Sequence, residues 1–258
     1  MQGFQFNKFG RWRTPTCVSS SRAASRRAWL LSGVPTFVLI PGAGGSSWVW
    51  SRVAHLLTEA GHEAIAVDLP GDDETAGLGR YTELVVDAIG SRAEVVLVAG
   101  SLGGFTAPLV CERVNVRELV LVNAMIPNPG ETARDWWAHT GALGAREEAA
   151  LAGGYGPFEL ATYFLHDVDA ETAAEGERYQ RSEADVAFES VCDFTAWPAI
   201  GTRVLIGADD RFFPAGLQRR VARDRLGIEP DEIAGGHLLP LAQPRLVAEY
   251  LQQGPLRP

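Results

Sequence analysis

The sequence predicts an α/β fold: a mostly parallel β-sheet with helices on both faces and a helical insertion. Short apolar runs alternate with helical segments from Thr36 onward, a pattern typical of repeated strand–helix units. The apolar runs are almost continuous, as expected for parallel strands buried on both faces. The chain has 258 residues, of which 46% are hydrophobic, which suffices for one α/β domain with an insertion.

The first half of the chain predicts four strands separated by three helices. The strands are the apolar runs TFVLI, EAIAVDLP, EVVLVAG and ELVLVNA. The segments between them predict helices over Trp48–Glu59, Tyr81–Ile89 and Gly103–Arg113.

The alternation stops after Pro127. Residues 128–197 are rich in aromatic side chains but contain no clear strand pattern, so we expect a mostly helical lid at about 127–198. The alternation then resumes. It predicts a strand in RVLIGADD, a helix over Gln218–Leu226, a short strand in DEIAGG and a closing helix over Pro244–Gln252.

Residues 1–33 differ in composition from the rest. They contain six basic residues and no acidic ones, although the whole chain has a formal net charge of −9. Their serine and arginine content resembles an organellar transit peptide, but a disordered extension or an over-long start would look the same. We expect a disordered basic arm at 1–33 and assign the α/β domain to 34–258.

Composition also excludes several classes of partner. The acidic balance argues against nucleic acid, and no run approaches the roughly 18 apolar residues of a membrane span. Cys17, Cys111 and Cys192 are too few and too far apart for a disulfide framework or a metal site. The expected location is the cytoplasm, and the sequence does not indicate an oligomeric state.

The stretch FVLIPGAGGSSWVW has two interpretations. It resembles the phosphate-binding turn of a dinucleotide fold, because Gly42 and Gly44 match the first glycines of G-x-G-x-x-G and Asp68 ends the next strand. However, Ser47 replaces the third glycine. Alternatively, the turn presents bare backbone N–H groups to a reacting carbonyl. The turn alone does not decide between these interpretations.

The stretch VVLVAGSLGGF favours the second interpretation. A buried strand enters a tight turn at Ser101 and a helix follows, which is the context of a nucleophile elbow. A serine hydroxyl can stand above the sheet there only if the residues two before and two after it are small. Ala99, in place of the usual glycine, and Gly103 satisfy this requirement.

A serine nucleophile needs a base and an acid that orients the base. Of the five histidines, His237 lies in AGGHLLPL after the last strand, so it comes last in the order serine, acid, histidine that this architecture requires. Two acids, Asp209 and Asp210, follow the strand RVLIG. Asp185 and Asp193 also lie between serine and histidine, but neither follows an apolar strand.

The stretches PGAGGSSWVW, VDLPG, AGSLGG, GADDRFFP and GGHLLPLAQP occur in an order and spacing that resemble the α/β-hydrolase superfamily over about residues 35–254. The family pattern G-x-x-D-x-x-x-P, matched by Gly207 and Pro214, implies that Asp210 is the acid. Within the superfamily, the chain is most similar to the plant-type methylesterase and hydroxynitrile-lyase group.

The resemblance also implies an oxyanion hole. Pro41-Gly42-Ala43 resembles the family's His-Gly-x turn, so the N–H groups of Ala43 and Leu102 are the expected donors. The lyases carry a lysine directly after the histidine. Leu238 stands at that position here, which argues against cyanohydrin cleavage.

The expected function is that of a serine hydrolase. Ser101, His237 and Asp210 would cleave a small to medium, partly apolar carboxylic ester through an acyl-enzyme, with no metal or organic cofactor. The same residues could serve a thioesterase, a C–C hydrolase or an acyltransferase. A ligand-binding protein on the same fold and a nicotinamide-dependent oxidoreductase are the remaining alternatives.

Overall fold

The computed structural model describes residues 34–254, and the basic arm predicted at residues 1–33 lies outside them. A six-stranded sheet forms the centre of the described chain, in the order β2-β1-β3-β4-β7-β8, and every neighbouring pair is parallel. The predicted α/β class is therefore confirmed. The strands are β1 Thr36–Ile40, β2 Glu63–Ala66, β3 Val95–Gly100, β4 Glu118–Val122, β5 Glu131–Thr132, β6 Val191–Cys192, β7 Gly201–Gly207 and β8 Asp231–Ile233.

Helices connect the strands and cover the sheet. None of those in residues 34–254 is both long enough and apolar enough to cross a bilayer. The α-helices are α1 Ser51–Glu59, α2 Leu78–Ile89, α3 Gly103–Arg113, α4 Ala133–Thr140, α5 Ala142–Gly153, α6 Leu160–Tyr163, α7 Ala170–Gly176, α8 Asp185–Glu189, α9 Ala215–Leu226, α10 Leu239–Ala242 and α11 Pro244–Gln252; 3₁₀ turns lie at Ser47–Trp50 and Glu177–Tyr179.

The strands are apolar throughout because both faces of the sheet are buried. In β1, Phe37 and Leu39 pack into the core layer that contains α1 and α11. The alternate residues Val38 and Ile40 pack into the layer that contains α2, α3 and α9. Side chains of a strand alternate between faces, so two cores require an unbroken apolar run.

Several predicted boundaries were wrong. The second strand ends at Ala66 rather than continuing to Pro70, because the chain turns away and Leu69 N–H donates to the Gly45 carbonyl at 2.8 Å. Helices α2 and α9 each begin three residues earlier than predicted. Their first turns contain Gly79 and Gly216, and glycine has a low helix propensity that hides a helix start.

Five helices, α4 to α8, occupy the insertion between β4 and β7. The expectation of no strand there was wrong, because β5 and β6 pair antiparallel, with Glu131 opposite Cys192. Two residues per strand are too few to produce a period-2 pattern in the sequence. This short pair brings the two ends of the insertion together.

A buried ion pair anchors the start of the insertion to α9. Glu131 is 5% exposed, and both its carboxylate oxygens accept hydrogen bonds from the Arg225 guanidinium. It also accepts from the Asn128 N–H and contacts His139 Nδ1. Burial would raise the pKa of Glu131, but the hydrogen bonds, that of Arg225 foremost, outweigh it and hold the pKa below its ordinary value.

We expect Glu131→Gln to lower the free energy of unfolding by about 3 kcal/mol at pH 7, because it leaves the buried Arg225 cation without a counter-charge. The folded-state pKa of Glu131 is lowered, so the stabilisation is complete above the ordinary value of 4.5 and is lost as the pH falls through the folded value. Urea unfolding at several pH values measures both effects.

The matched control is Glu189→Gln, which removes an exposed partner of Arg134 and should change stability little. The difference between wild type and Glu131→Gln should shrink in acid. An equal difference at pH 7 and at pH 3 would show that the carboxylate charge does not contribute.

Candidate active site

Ser101 lies in the turn between β3 and α3 with a φ of +48°. This left-handed conformation is uncommon outside glycine and is typical of strained functional positions. The turn is held by the Ser101 carbonyl, which accepts from Gly104 N–H at 3.1 Å and from Met125 N–H at 2.9 Å. The strand–turn–helix context expected for a nucleophile elbow is therefore present.

Bare backbone surrounds the serine turn. A Cβ added at Gly42 would lie 2.7 Å from Ser101 Cβ, and one at Gly103 would lie 2.6 Å from the Pro41 carbonyl oxygen. A Cβ at Gly104 would lie 1.8 Å from the Met125 carbonyl oxygen. The small residue expected at Gly103 is required for this reason, and Gly42 and Gly104 prove equally constrained.

The three side chains predicted from the chain order come together at the carboxyl edge of the sheet. His237 Nε2 lies 3.0 Å from Ser101 Oγ, and His237 Nδ1 lies 2.8 Å from Asp210 Oδ2. His237 and Asp210 are each 4% exposed. If Nδ1 donates to the carboxylate, Nε2 is left as the acceptor for the serine hydroxyl.

Asp210 satisfies its buried carboxylate with hydrogen bonds from its own turn. Oδ1 accepts from Phe212 N–H and Phe213 N–H, both at 2.8 Å, and Oδ2 accepts from Gln218 Nε2 at 3.0 Å in addition to the His237 contact. A buried charge needs such partners. The alternative acid, Asp209, is exposed, and its carboxylate accepts from Gly235 N–H at 3.1 Å.

Sequence reasoning missed Asn123, the residue after β4. It is buried, and it is the one non-glycine residue besides Ser101 that has a positive φ within residues 34–254. Its Nδ2 donates to the carbonyls of Gly236 and His237 at 2.9 Å each, and its Oδ1 accepts from Gly207 N–H at 2.7 Å. One side chain thus joins the histidine loop to the strand that carries Asp210. A polar residue ending the apolar run ELVLVNA was the available signal.

Gln218 was also missed as a site residue. It lies on the buried side of α9, and its Nε2 reaches Asp210 Oδ2, the Phe213 carbonyl at 2.7 Å and Asn123 Oδ1 at 3.3 Å. The signal in the sequence was an amide side chain next to apolar residues on the inward face of a helix.

Aromatic rings enclose the imidazole. The rings of Phe164, Phe212 and Phe213 lie edge-on to His237, with centroid distances of 4.9, 5.0 and 5.0 Å. They belong to the wall of a 240 Å³ cavity that reaches Ser101 and His237. Other lining side chains are Trp50, Met125, Trp137, Phe188 and Leu238.

The insertion contributes much of this apolar wall. Trp137, Phe164 and Phe188 all come from residues between β5 and β6. No side chain lining the cavity is charged apart from the ionisable His237. An apolar, uncharged group therefore fits beside the serine hydroxyl.

The expected oxyanion donors line the same cavity. Ala43 and Leu102 are both part of its wall, together with Gly42 and Ser101. Their backbone N–H groups make no hydrogen bond to other residues in the described part of the chain. The turn that carries Ala43 is closed by a 3.1 Å hydrogen bond from Gly45 N–H to the Gly42 carbonyl.

Asp68, the acid of the dinucleotide interpretation, is occupied by other partners. Its carboxylate accepts from Ser47 N–H at 2.9 Å and pairs with the Arg181 guanidinium at 2.8 and 3.0 Å. Both partners lie outside the turn that follows its strand. Within residues 34–254, no group of three or more His, Cys, Asp or Glu side chains is arranged to hold a metal ion.

Comparison with known sequences agrees with this architecture. The Alpha/beta hydrolase family matches residues 37–250. Probable esterase PIR7A from Oryza sativa subsp. indica is 35% identical over 107 residues, which is 37% of this chain and 41% of that protein. Methyl jasmonate esterase 1 from Vitis vinifera is 33% identical over 105 residues, which is 36% of this chain and 40% of that protein. In these alignments the chain spans about two fifths of the relatives' length.

A solved structure shares the fold of this chain. The crystal structure of polyneuridine aldehyde esterase has a TM-score of 0.69 and 22% identity, covering 85% of this chain and 98% of that chain. The two sequence relatives confirm the predicted resemblance to the methylesterase-like group, and the solved structure shows the shared fold. The family match includes the glycine turn, the serine turn, the acid and the histidine, and this chain therefore belongs to the α/β hydrolase family.

Proposed function

We propose that this protein is a serine esterase that cleaves small to medium, partly apolar carboxylic esters through an acyl-enzyme. One observation carries the proposal: the hydrogen-bonded series from Ser101 Oγ through His237 to Asp210 opens into an apolar cavity. Two relatives that are named as esterases support ester hydrolysis. Neither relative supplies the substrate of this chain.

The reaction begins with attack by Ser101 Oγ on the ester carbonyl carbon, while His237 Nε2 takes the hydroxyl proton. The carbonyl oxygen becomes an oxyanion that accepts hydrogen bonds from the Ala43 and Leu102 N–H groups. Collapse of this intermediate breaks the ester C–O bond, and the imidazolium gives its proton to the leaving alkoxide. Water then repeats the sequence on the acyl-enzyme, with His237 as base, and releases the carboxylic acid.

Asp210 stays ionised through the cycle. It holds the tautomer in which Nδ1 carries the proton, and it stabilises the imidazolium that forms during attack. The hydrogen bonds that Asp210 receives from two backbone N–H groups and Gln218 keep the carboxylate in one orientation. No cofactor takes part in these steps.

The cavity supports a neutral, compact substrate. Its volume of 240 Å³ lies below the roughly 300–1,000 Å³ of pockets for drug-sized ligands.

Thioester hydrolysis, C–C cleavage and acyl transfer use the same residues, so a screen of esters of graded acyl length, run beside thioester and acyl-acceptor assays, separates them. Cyanohydrin cleavage is disfavoured because Leu238 follows His237.

Ser101 should react with a fluorophosphonate probe to give a single covalent adduct, because His237 activates its hydroxyl. Ser101→Ala should abolish both the adduct, measured by intact mass, and ester turnover. The matched control Ser51→Ala, at the start of α1, should label as the wild type does. Labelling that survives Ser101→Ala would place the nucleophile elsewhere.

The two adjacent aspartates should differ sharply in their effect on kcat. Asp210→Asn should lower kcat by orders of magnitude, about 10⁴ in a comparable serine protease, because the imidazole then adopts the wrong tautomer. Asp209→Asn should lose far less, since Asp209 bonds the Gly235 N–H rather than His237. Turnover of one ester by both variants, with circular dichroism to establish folding, makes the comparison. A greater loss in Asp209→Asn would contradict the assignment.

A further inference from the structure

A short stretch of the insertion, residues 181–184, lies directly against the glycine turn that carries Ala43. The Glu183 carboxylate accepts a hydrogen bond from Gly44 N–H at 2.5 Å, and Ala184 N–H donates to the Gly71 carbonyl at 2.7 Å. A Cβ added at Gly44 would lie 2.5 Å from the Arg181 carbonyl oxygen. The insertion therefore contacts the turn through both its backbone and a charged side chain.

Glu183 also connects this turn to helix α2. Its second carboxylate oxygen accepts from the Tyr81 hydroxyl at 2.6 Å. Tyr81 is a buried residue of α2, which packs on the sheet. Burial, followed by the hydrogen bond to Glu183, raises the pKa of the Tyr81 hydroxyl, so the hydroxyl remains a proton donor. The carboxylate thus bridges a loop amide and a core side chain.

The position of Gly44 gives this bridge a chemical consequence. The Ala43 N–H belongs to the Gly42–Ala43 peptide unit, and the carbonyl of that unit is held by Gly45 N–H. The next peptide unit, Ala43–Gly44, is held by Glu183 through the Gly44 N–H. Each peptide unit is planar and rigid. Because hydrogen bonds hold both of these adjacent units, they restrict the direction in which the Ala43 N–H points.

We propose that Glu183 is a positioning residue for the oxyanion hole, acting through Gly44 to aim the Ala43 N–H at the developing oxyanion. This inference rests on the proposed esterase function. Donors that face the oxyanion stabilise charge that is present in the transition state but not in the bound ester. Loss of the Glu183 contact should therefore lower kcat while KM changes little.

The experiment compares three substitutions at Glu183 on one ester substrate. Glu183→Ala should lower kcat by about tenfold, less than the 10²–10³ for removing a whole oxyanion donor. Glu183→Asp keeps the charge but is one methylene shorter, so it should also lower kcat. Glu183→Gln should recover most of the wild-type rate, because its amide oxygen can accept from Gly44 N–H and its NH₂ can donate to the Tyr81 oxygen.

The control and a second readout separate positioning from stability. Glu189→Ala removes another acidic side chain of the insertion, one that pairs with Arg134 on the surface, and it should leave kcat unchanged. Affinity for a trifluoromethyl ketone, which forms a tetrahedral adduct with an oxyanion, should fall in Glu183→Ala in step with kcat/KM. Melting temperatures measure any change in folding.

Each outcome bears on the proposal. A wild-type kcat in Glu183→Ala, a rise in KM at constant kcat, or a loss of rate that only follows the folded fraction would overturn it. If Glu183→Ala fails to fold, a wild-type kcat in Glu183→Asp would overturn the proposal instead. Absence of turnover and of Ser101 labelling in the wild type would instead contradict the esterase function itself.

Discussion

The site depends on the close approach of two backbone turns, the glycine turn after β1 and the serine turn after β3. An added Cβ at Gly42 would lie 2.7 Å from Ser101 Cβ, so no side chain fits between the turns. Their proximity follows from the sheet, because β1 and β3 are parallel neighbours and their carboxyl ends meet at one edge. That approach brings Ala43 and Leu102 into the wall of one cavity with Ser101.

The same edge receives the acid and the histidine from β7 and β8. A buried carboxylate is costly to desolvate, and here four hydrogen bonds to Asp210 offset that cost, one of them from His237. Asn123 secures the arrangement because it bonds both the Gly207 N–H and the His237 carbonyl. The strained φ values of Ser101 and Asn123 coincide with this small region, as expected where packing must fix functional geometry.

Features with a local signal were predictable from the sequence. The parallel sheet follows from unbroken apolar runs, and the serine turn follows from the small residues around Ser101. Chain order then selected His237, but both Asp209 and Asp210 follow the same strand, and only the family spacing separated them. The physical difference between the aspartates is the turn to Phe213, which directs two backbone N–H groups at Asp210.

Features that depend on distant pairs of polar residues were not predictable. Gly207 bonds Asn123 across 84 positions of sequence, and Gly44 bonds Glu183 across 139. Such pairs leave no periodic trace, since each partner is one polar residue in an otherwise ordinary segment. The strands β5 and β6 were not predicted for a different reason: their pairing is regular, but two residues per strand are too few to show a period.

The insertion contributes to two features of the candidate site, the wall of the cavity and the support of the glycine turn. Trp137, Phe164 and Phe188 supply apolar surface to the cavity, while Glu183 accepts a hydrogen bond from Gly44 in the glycine turn. The shape of the cavity and the geometry of the proposed oxyanion donors are therefore coupled through one segment. A change in the insertion that shifts the chain at residues 181–184 therefore also acts on the backbone beside Ala43. Within residues 181–184, both the backbone position at Arg181 and the length of the Glu183 side chain therefore bear on the glycine turn.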